Sequence, residues 1–148
     1  MNRKPIIAAN WKMNKTPKEA VEFVDLFENH IGGSTEVDIV LAPAFVALPA
    51  VKESLANSET TMLAAQNCYF EESGAFTGEI SIGMLQEIGV DYVIIGHSER
   101  RAIFGEDDSL INAKAKAFRK YLGQELCIKY TPRLKFFYDD TMSYAQKL

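Results

Sequence analysis

The chain has 148 residues, 24% charged and 47% hydrophobic, with a formal net charge of −4. That length suffices to bury a core, and nine Gly with five Pro exclude collagenous and disordered chains. The longest apolar stretches, Ile6-Ile7-Ala8-Ala9 and Val93-Ile94-Ile95, fall far short of the roughly 20 residues that cross a bilayer, so no membrane association is expected.

Short apolar runs recur at Ile6–Ala9, Val37–Ala42, Met62–Ala65 and Tyr92–Ile95. Runs apolar on both faces suit strands covered on both sides, and helical patterns between them make βαβ units of a parallel sheet. Thr16-Pro17-Lys18-Glu19 carries a capping box with Pro at the first helical position. Ala20, Phe23, Val24, Phe27 and Ile31 then share one face, and Gly32-Gly33 is expected to end that helix. A weaker helix is expected over about 48–56, with Pro49 in its first turn. Ser81 is placed to cap a short turn that Gly89 stops. The acidic run Glu106-Asp107-Asp108 suits the start of a helix near Ser109, with Leu110, Ala113, Ala117 and Tyr121 on one face. Residues 128–138 read as an extended segment interrupted at Pro132.

Charge is unevenly distributed. Residues 1–117 hold 10 basic and 17 acidic side chains, a net of −7. Residues 118–148 hold 6 and 3, a net of +3, with 7 of the 16 aromatic residues. This marks either a junction near residue 118 or a basic surface helix and strand closing one domain. The last helical pattern crosses that point unbroken.

Arg3 and Lys4 are followed by no sustained apolar segment, so no secretory signal is expected. Cys68 and Cys127 lack Cys-x-x-Cys spacing and are expected as reduced thiols in a cytoplasmic protein. The two His and two Cys have no metal-ligand spacing, and no Walker or Gly-x-Gly-x-x-Gly loop occurs. No metal or cofactor is therefore expected.

Three polar groups follow strands directly: Asn10 and Lys12 after the first, and His97 with Glu99 after the fourth. Ligands of parallel α/β proteins bind at the carboxyl ends of strands, where such a set can hold an anion and polarise a carbonyl. Solvated loop residues are the competing interpretation. His30 falls in the last turn of a helix, where a cation suits the dipole. A helical turn starting after His97 would disfavour its imidazolium form and leave a neutral hydrogen-bond donor. The connection from Gln66 to Ile80 is long, and Phe70 and Phe76 would be poorly hidden in a monomer, so a partner subunit is expected to cover it, the alternative being a loop folded back on its own core.

At Ala9-Asn10-Trp11-Lys12-Met13-Asn14, Ala65-Gln66-Asn67-Cys68, Gly74-Ala75-Phe76-Thr77-Gly78-Glu79 and Ile95-Gly96-His97-Ser98-Glu99-Arg100-Arg101, the chain resembles the triosephosphate isomerase family over about residues 3–117. The resemblance implies an α/β fold with the first four strand-helix units of a (β/α)8 barrel. It also implies interconversion of dihydroxyacetone phosphate and glyceraldehyde 3-phosphate, glycolytic and gluconeogenic chemistry. By that resemblance Lys12 offsets substrate charge, Asn10 positions substrate, His97 polarises the carbonyl and Glu99 is an accessory acid. Thr77 and Phe76 belong to a loop that docks into a homodimer partner, and Arg100 with Glu106 supports that region. The family's catalytic base, a Glu after the sixth strand, and its phosphate-gripping loops have no matching position here. The isolated chain is therefore expected to be a very poor isomerase.

The segment Phe118–Leu148, with Tyr130-Thr131-Pro132-Arg133-Leu134-Lys135-Phe136 and Asp139-Asp140, resembles the C-terminal part of ribosome-binding factor A. That implies an incomplete KH-like α/β fragment with weak RNA contact. The composite expectation is a chimeric or truncated chain, residues 1–117 joined to 118–148. Its open half-barrel edges are expected to favour self-association.

Overall fold

The structure is a computed structural model that describes residues 4–31 and 36–125, with side chains described as far as Tyr121. The expected Gly32-Gly33 stop, Cys127, and the extended segment at 128–138 lie outside the described residues. Four strands, β1 (Ile6–Asn10), β2 (Asp38–Ala42), β3 (Thr61–Ala65) and β4 (Tyr92–Val93), form one parallel sheet in sequential order. The helices α1 (Pro17–Ile31), α2 (Leu48–Ser54), α3 (Ile82–Ile88), α4 (Ser98–Phe104) and α5 (Asp108–Glu125) follow the strands, α2 being preceded by a 3-10 turn at Phe45–Ala47.

Register sorts the side chains. Ile6 pairs with Asp38 through to Asn10 with Ala42, Leu41 pairs with Leu63, and Ala64 pairs with Tyr92. Paired residues share a face and successive residues alternate. Leu41, Leu63 and Ala65 therefore pack against the helices, with Ala20 and Val24 of α1, Leu48 and Val51 of α2, and Leu85 of α3. Val40, Ala42 and Ala64 make a separate cluster on the opposite face, with Met62 and Ile94 beside them. Asn10, in register with Ala42, shares that second face.

The helix boundaries follow local chemistry. The Thr16 N–H donates to Glu19 Oε2 at 2.7 Å and the Glu19 N–H donates to Thr16 Oγ1 at 3.4 Å, the expected reciprocal cap of α1. Ser81 Oγ accepts from the Met84 N–H at 3.3 Å, and Gly89, at φ 82°, closes α3 in the left-handed conformation that only glycine adopts freely. The second helix ends at Ser54, two residues short of the expected 56. Among the described residues no helix is long and apolar enough to cross a membrane.

In α5 the buried face departs from the expected one. Leu110, Ala113, Ala117 and Tyr121 are half-buried, and the deepest positions are Ile111, Lys114 and Ala115. Ala113, Ala117 and Tyr121 instead border an open groove of about 960 Å³ shared with Phe70 and Ile82. Apolar periodicity misplaces the face because it ranks a lysine as solvent-facing. Lys114 is only 1% exposed. Its Nζ donates to Glu106 Oε1 at 2.5 Å and to Asn67 Oδ1 at 2.7 Å.

Glu106, 4% exposed, also accepts from Arg100 Nε at 2.6 Å. Burial works to raise its pKa, but hydrogen bonds and charge from Lys114 and Arg100 outweigh burial and hold the carboxyl below its ordinary value of 4.5. Nearby Cys68 is buried and unpaired by any disulfide, and burial pushes its thiol up to about 11 against the opposing charge of Lys114. That thiol is a poor nucleophile.

Two outcomes follow from the buried carboxylate. Glu106→Ala leaves Lys114 buried without its charge partner and should cost about 3–5 kcal/mol in denaturant unfolding. Because the folded carboxyl titrates below the unfolded one, its stabilisation is complete above the ordinary carboxylate range and is lost as pH falls through it. Acid titration of Glu106→Gln should show a shallower decline than the parent chain; an equal slope in both would remove Glu106 from the account.

Candidate active site

The loop after β1 turns sharply. Lys12 has φ 54°, a left-handed conformation uncommon for a residue with a Cβ. Several bonds hold it there. The Lys12 N–H donates to Asn10 Oδ1 at 3.0 Å, and the Trp11 N–H donates to the Ala42 carbonyl at 3.0 Å. Gln66 Nε2 donates to the Lys12 carbonyl at 2.9 Å and to the Ala42 carbonyl at 2.8 Å. One amide thus ties the ends of β1, β2 and β3 together. Trp11 packs on the helix side, 5.2 Å edge-to-face from Phe23.

After β4 the chain turns at Gly96 with φ 68°. A Cβ there would stand 3.1 Å from Ile111 Cδ1 of α5, so both backbone conformation and packing favour glycine. His97 then caps α4: its Nδ1 accepts the Glu99 N–H at 3.2 Å. An accepting Nδ1 leaves the ring proton on Nε2, the tautomer of a neutral donor. Glu99 Oε2 lies 3.7 Å from Nδ1.

The two loops meet. Lys12 Nζ donates to Glu99 Oε1 at 2.5 Å, across 87 positions of sequence. That bond holds the Glu99 carboxyl below the ordinary carboxylate range even as desolvation opposes it, with further help from the charge of Lys12. Asn10, Lys12, His97 and Glu99, singled out from their places after strands, therefore gather at the carboxyl ends of β1 and β4. The open groove beside α5 is separate from them.

Gln66 was absent from the sequence-based site. The signal available was its position: it follows β3 directly, as Asn10 ends β1 and His97 follows β4. Its neighbour Asn67 receives Lys114, so adjacent residues serve the site and the buried pair.

The 66–80 loop closes on itself. The Tyr69 N–H donates to the Ile80 carbonyl at 2.8 Å, and the Phe76 ring lies 4.9 Å from Tyr69. Thr77 is exposed and Phe76 remains partly so. Arg100 and Glu106 form an ion pair, Nε to Oε1 at 2.6 Å.

Four parallel strands in sequential order, each followed by helix, with polar residues gathered at the strands' carboxyl ends, define a half-barrel of the TIM type. A sequence model of triosephosphate isomerase matches residues 5–133, and the chain belongs to that family. The triosephosphate isomerase of Acetivibrio thermocellus is 54% identical over 121 residues, covering 82% of this chain and 47% of the relative. That of Carboxydothermus hydrogenoformans is 57% identical over 115 residues, covering 78% and 45%, and that of Streptococcus mutans 53% over 121 residues, covering 82% and 48%. The chain spans about half the length of the curated relatives it matches. The matched span extends past residue 118, as does α5.

Gln66→Leu should leave the carbonyls of Lys12 and Ala42 without that donor. Loss of about 1–3 kcal/mol is expected in urea unfolding. Unchanged stability would mean that water replaces the amide at no cost.

Proposed function

We propose that Asn10, Lys12, His97 and Glu99 form the N-terminal part of a triose phosphate isomerase site, acting on dihydroxyacetone phosphate and glyceraldehyde 3-phosphate through an enediolate. The observation that carries the proposal is the Lys12–Glu99 contact, which draws the loops after β1 and β4 into one place. In this reading Lys12 offsets the negative charge of the phosphorylated substrate, and an arriving anion competes with Glu99 for Nζ. Asn10 fixes the Lys12 turn and positions the substrate. His97 donates its Nε2 proton to the carbonyl as a neutral acid, the chemistry generally ascribed to this family. Glu99 serves as an accessory acid. The 66–80 loop, with Phe76 and Thr77, docks into a second subunit of a homodimer.

No residue of the chain is assigned the role of base that removes the substrate's carbon-bound proton. General base catalysis contributes about 10²–10⁴-fold, so the 148-residue chain assayed by itself is proposed to be a very poor isomerase. RNA contact through the segment after residue 117 finds no support in the described residues. Lys120, a basic residue there, is ion-paired with Glu72 at 2.9 Å.

A coupled isomerase assay checks the activity claim. Turnover within about tenfold of an intact family member would overturn it, because a chain without the base should lose more than that. A polypeptide carrying the remaining half of a family barrel, added in trans, is expected to restore turnover. The site claim is tested by NMR: dihydroxyacetone phosphate should shift the His97 ring resonances in the parent chain and not in Lys12→Ala. Equal shifts in both would remove Lys12 from the site.

A further inference from the structure

The left-handed turn at Lys12, with φ 54°, is held by three side-chain amides. Asn10 Oδ1 accepts the Lys12 N–H at 3.0 Å, and Asn14 Nδ2 donates to the Trp11 carbonyl at 2.7 Å. Both amides lie within two or three residues of the groups they hold and can move with the turn. Gln66 is different, because it reaches the turn from 54 positions away. Its Nε2 bridges the Lys12 carbonyl at 2.9 Å and the Ala42 carbonyl at 2.8 Å. Ala42 ends β2 and is 2% exposed, and its carbonyl also accepts the Trp11 N–H at 3.0 Å. Gln66 thus ties the backbone of Lys12 to a buried end of the sheet.

The place demands a neutral double donor. Carbonyls only accept, and a carboxamide NH2 carries two protons, one for each. A carboxylate of the same shape has none to offer. Asparagine is a methylene shorter, and lysine or arginine would set a second cation beside the turn. The backbone conformation in turn directs the ammonium. Lys12 and Glu99 are 41% and 40% exposed, so packing alone does not fix their side chains. At a negative φ the Cα–Cβ bond of Lys12 would leave the chain in another direction, and Nζ would lose its contact with Glu99 Oε1. A left-handed lysine persists only where neighbouring bonds over-determine it.

We propose that Gln66 is a positioning residue of the candidate site. By bonding the Lys12 carbonyl from the end of the sheet, it keeps Lys12 in the conformation that aims Nζ at an arriving anion. Gln66 acts through Lys12 rather than on the substrate. The proposal rests on the reading of Lys12 as the group that offsets the substrate's phosphate charge. It extends that reading by assigning the lysine's conformation to a residue of another loop. A chain that holds a binding-competent turn only part of the time loses affinity in proportion. Loss of the turn in about nine chains of ten therefore weakens binding about tenfold.

NMR of the full chain tests this. A positive φ brings an N–H close to its own Hα, so Lys12 of the parent chain should give a strong intraresidue NOE. In Gln66→Leu that NOE should fall to the level of ordinary residues. Dihydroxyacetone phosphate, followed at the His97 ring, should bind about tenfold more weakly. Unchanged amide shifts at Leu41 and Leu63 would show the sheet intact. Gln66→Glu adds a signature that mere space-filling lacks: its ionised form has no proton for either carbonyl, and its protonated form has one. Its Lys12 NOE should be weak at neutral pH and recover as pH falls through the carboxylate range, relative to the parent at the same pH. An undiminished NOE in both variants overturns the proposal, as does a lost NOE with unchanged affinity. A parent chain whose His97 ring ignores the ligand would overturn the reading of Lys12 instead, and the NOE would still decide whether Gln66 sets the turn.

Discussion

Lys114 and Glu106 leave water together, and much of the structure around the candidate site depends on how that is accommodated. A buried ion pair rarely adds net stability over apolar residues of similar shape, but removing either partner strands a charge. The pair is sustained by two further groups: Arg100 donates to the same Glu106 oxygen and Asn67 accepts from Lys114. These four residues come from α4, the α4–α5 turn, α5 and the loop after β3. Their bonds therefore fix the entry into α4, where His97 and Glu99 sit, against the end of the sheet.

Gln66 completes the connection. It lies next to Asn67 and holds the strained Lys12 turn, so the loop after β3 reads the buried pair on one side and the anion-facing lysine on the other. Strained backbone persists only where surrounding bonds over-determine it. Lys12 meets that condition with its own N–H on Asn10, its carbonyl on Gln66 and its ammonium on Glu99. The chemistry proposed for the site thus rests on a support built from polar bonds more than from apolar packing.

Much of this was legible in the sequence. The four strands, the capping box of α1, the Ser81 and Gly89 ends of α3, and the gathering of Asn10, Lys12 and His97 follow from periodicity, capping chemistry and position after strands. Family motifs supplied the half-barrel topology and the roles proposed for these residues. Lys114 was not legible, and Gln66 only through its position directly after β3, because the importance of both lies in partners far away in sequence. Propensity and hydropathy assign a lysine to solvent and a glutamine to a loop, and neither shows the tertiary contacts that these two side chains make. The face of α5 was misjudged by one position for the same cause. The helical pattern expected to cross residue 118 does so in α5.

Site and buried pair should open as one cooperative unit. Native-state hydrogen exchange measures this at three amides: Lys12, Glu99 and Glu106, whose N–H groups donate to Asn10 Oδ1, His97 Nδ1 and the Arg100 carbonyl. In Glu106→Gln all three should lose protection by the same factor. Retained protection at Lys12 and Glu99, with loss confined to Glu106 and α5, would contradict the account.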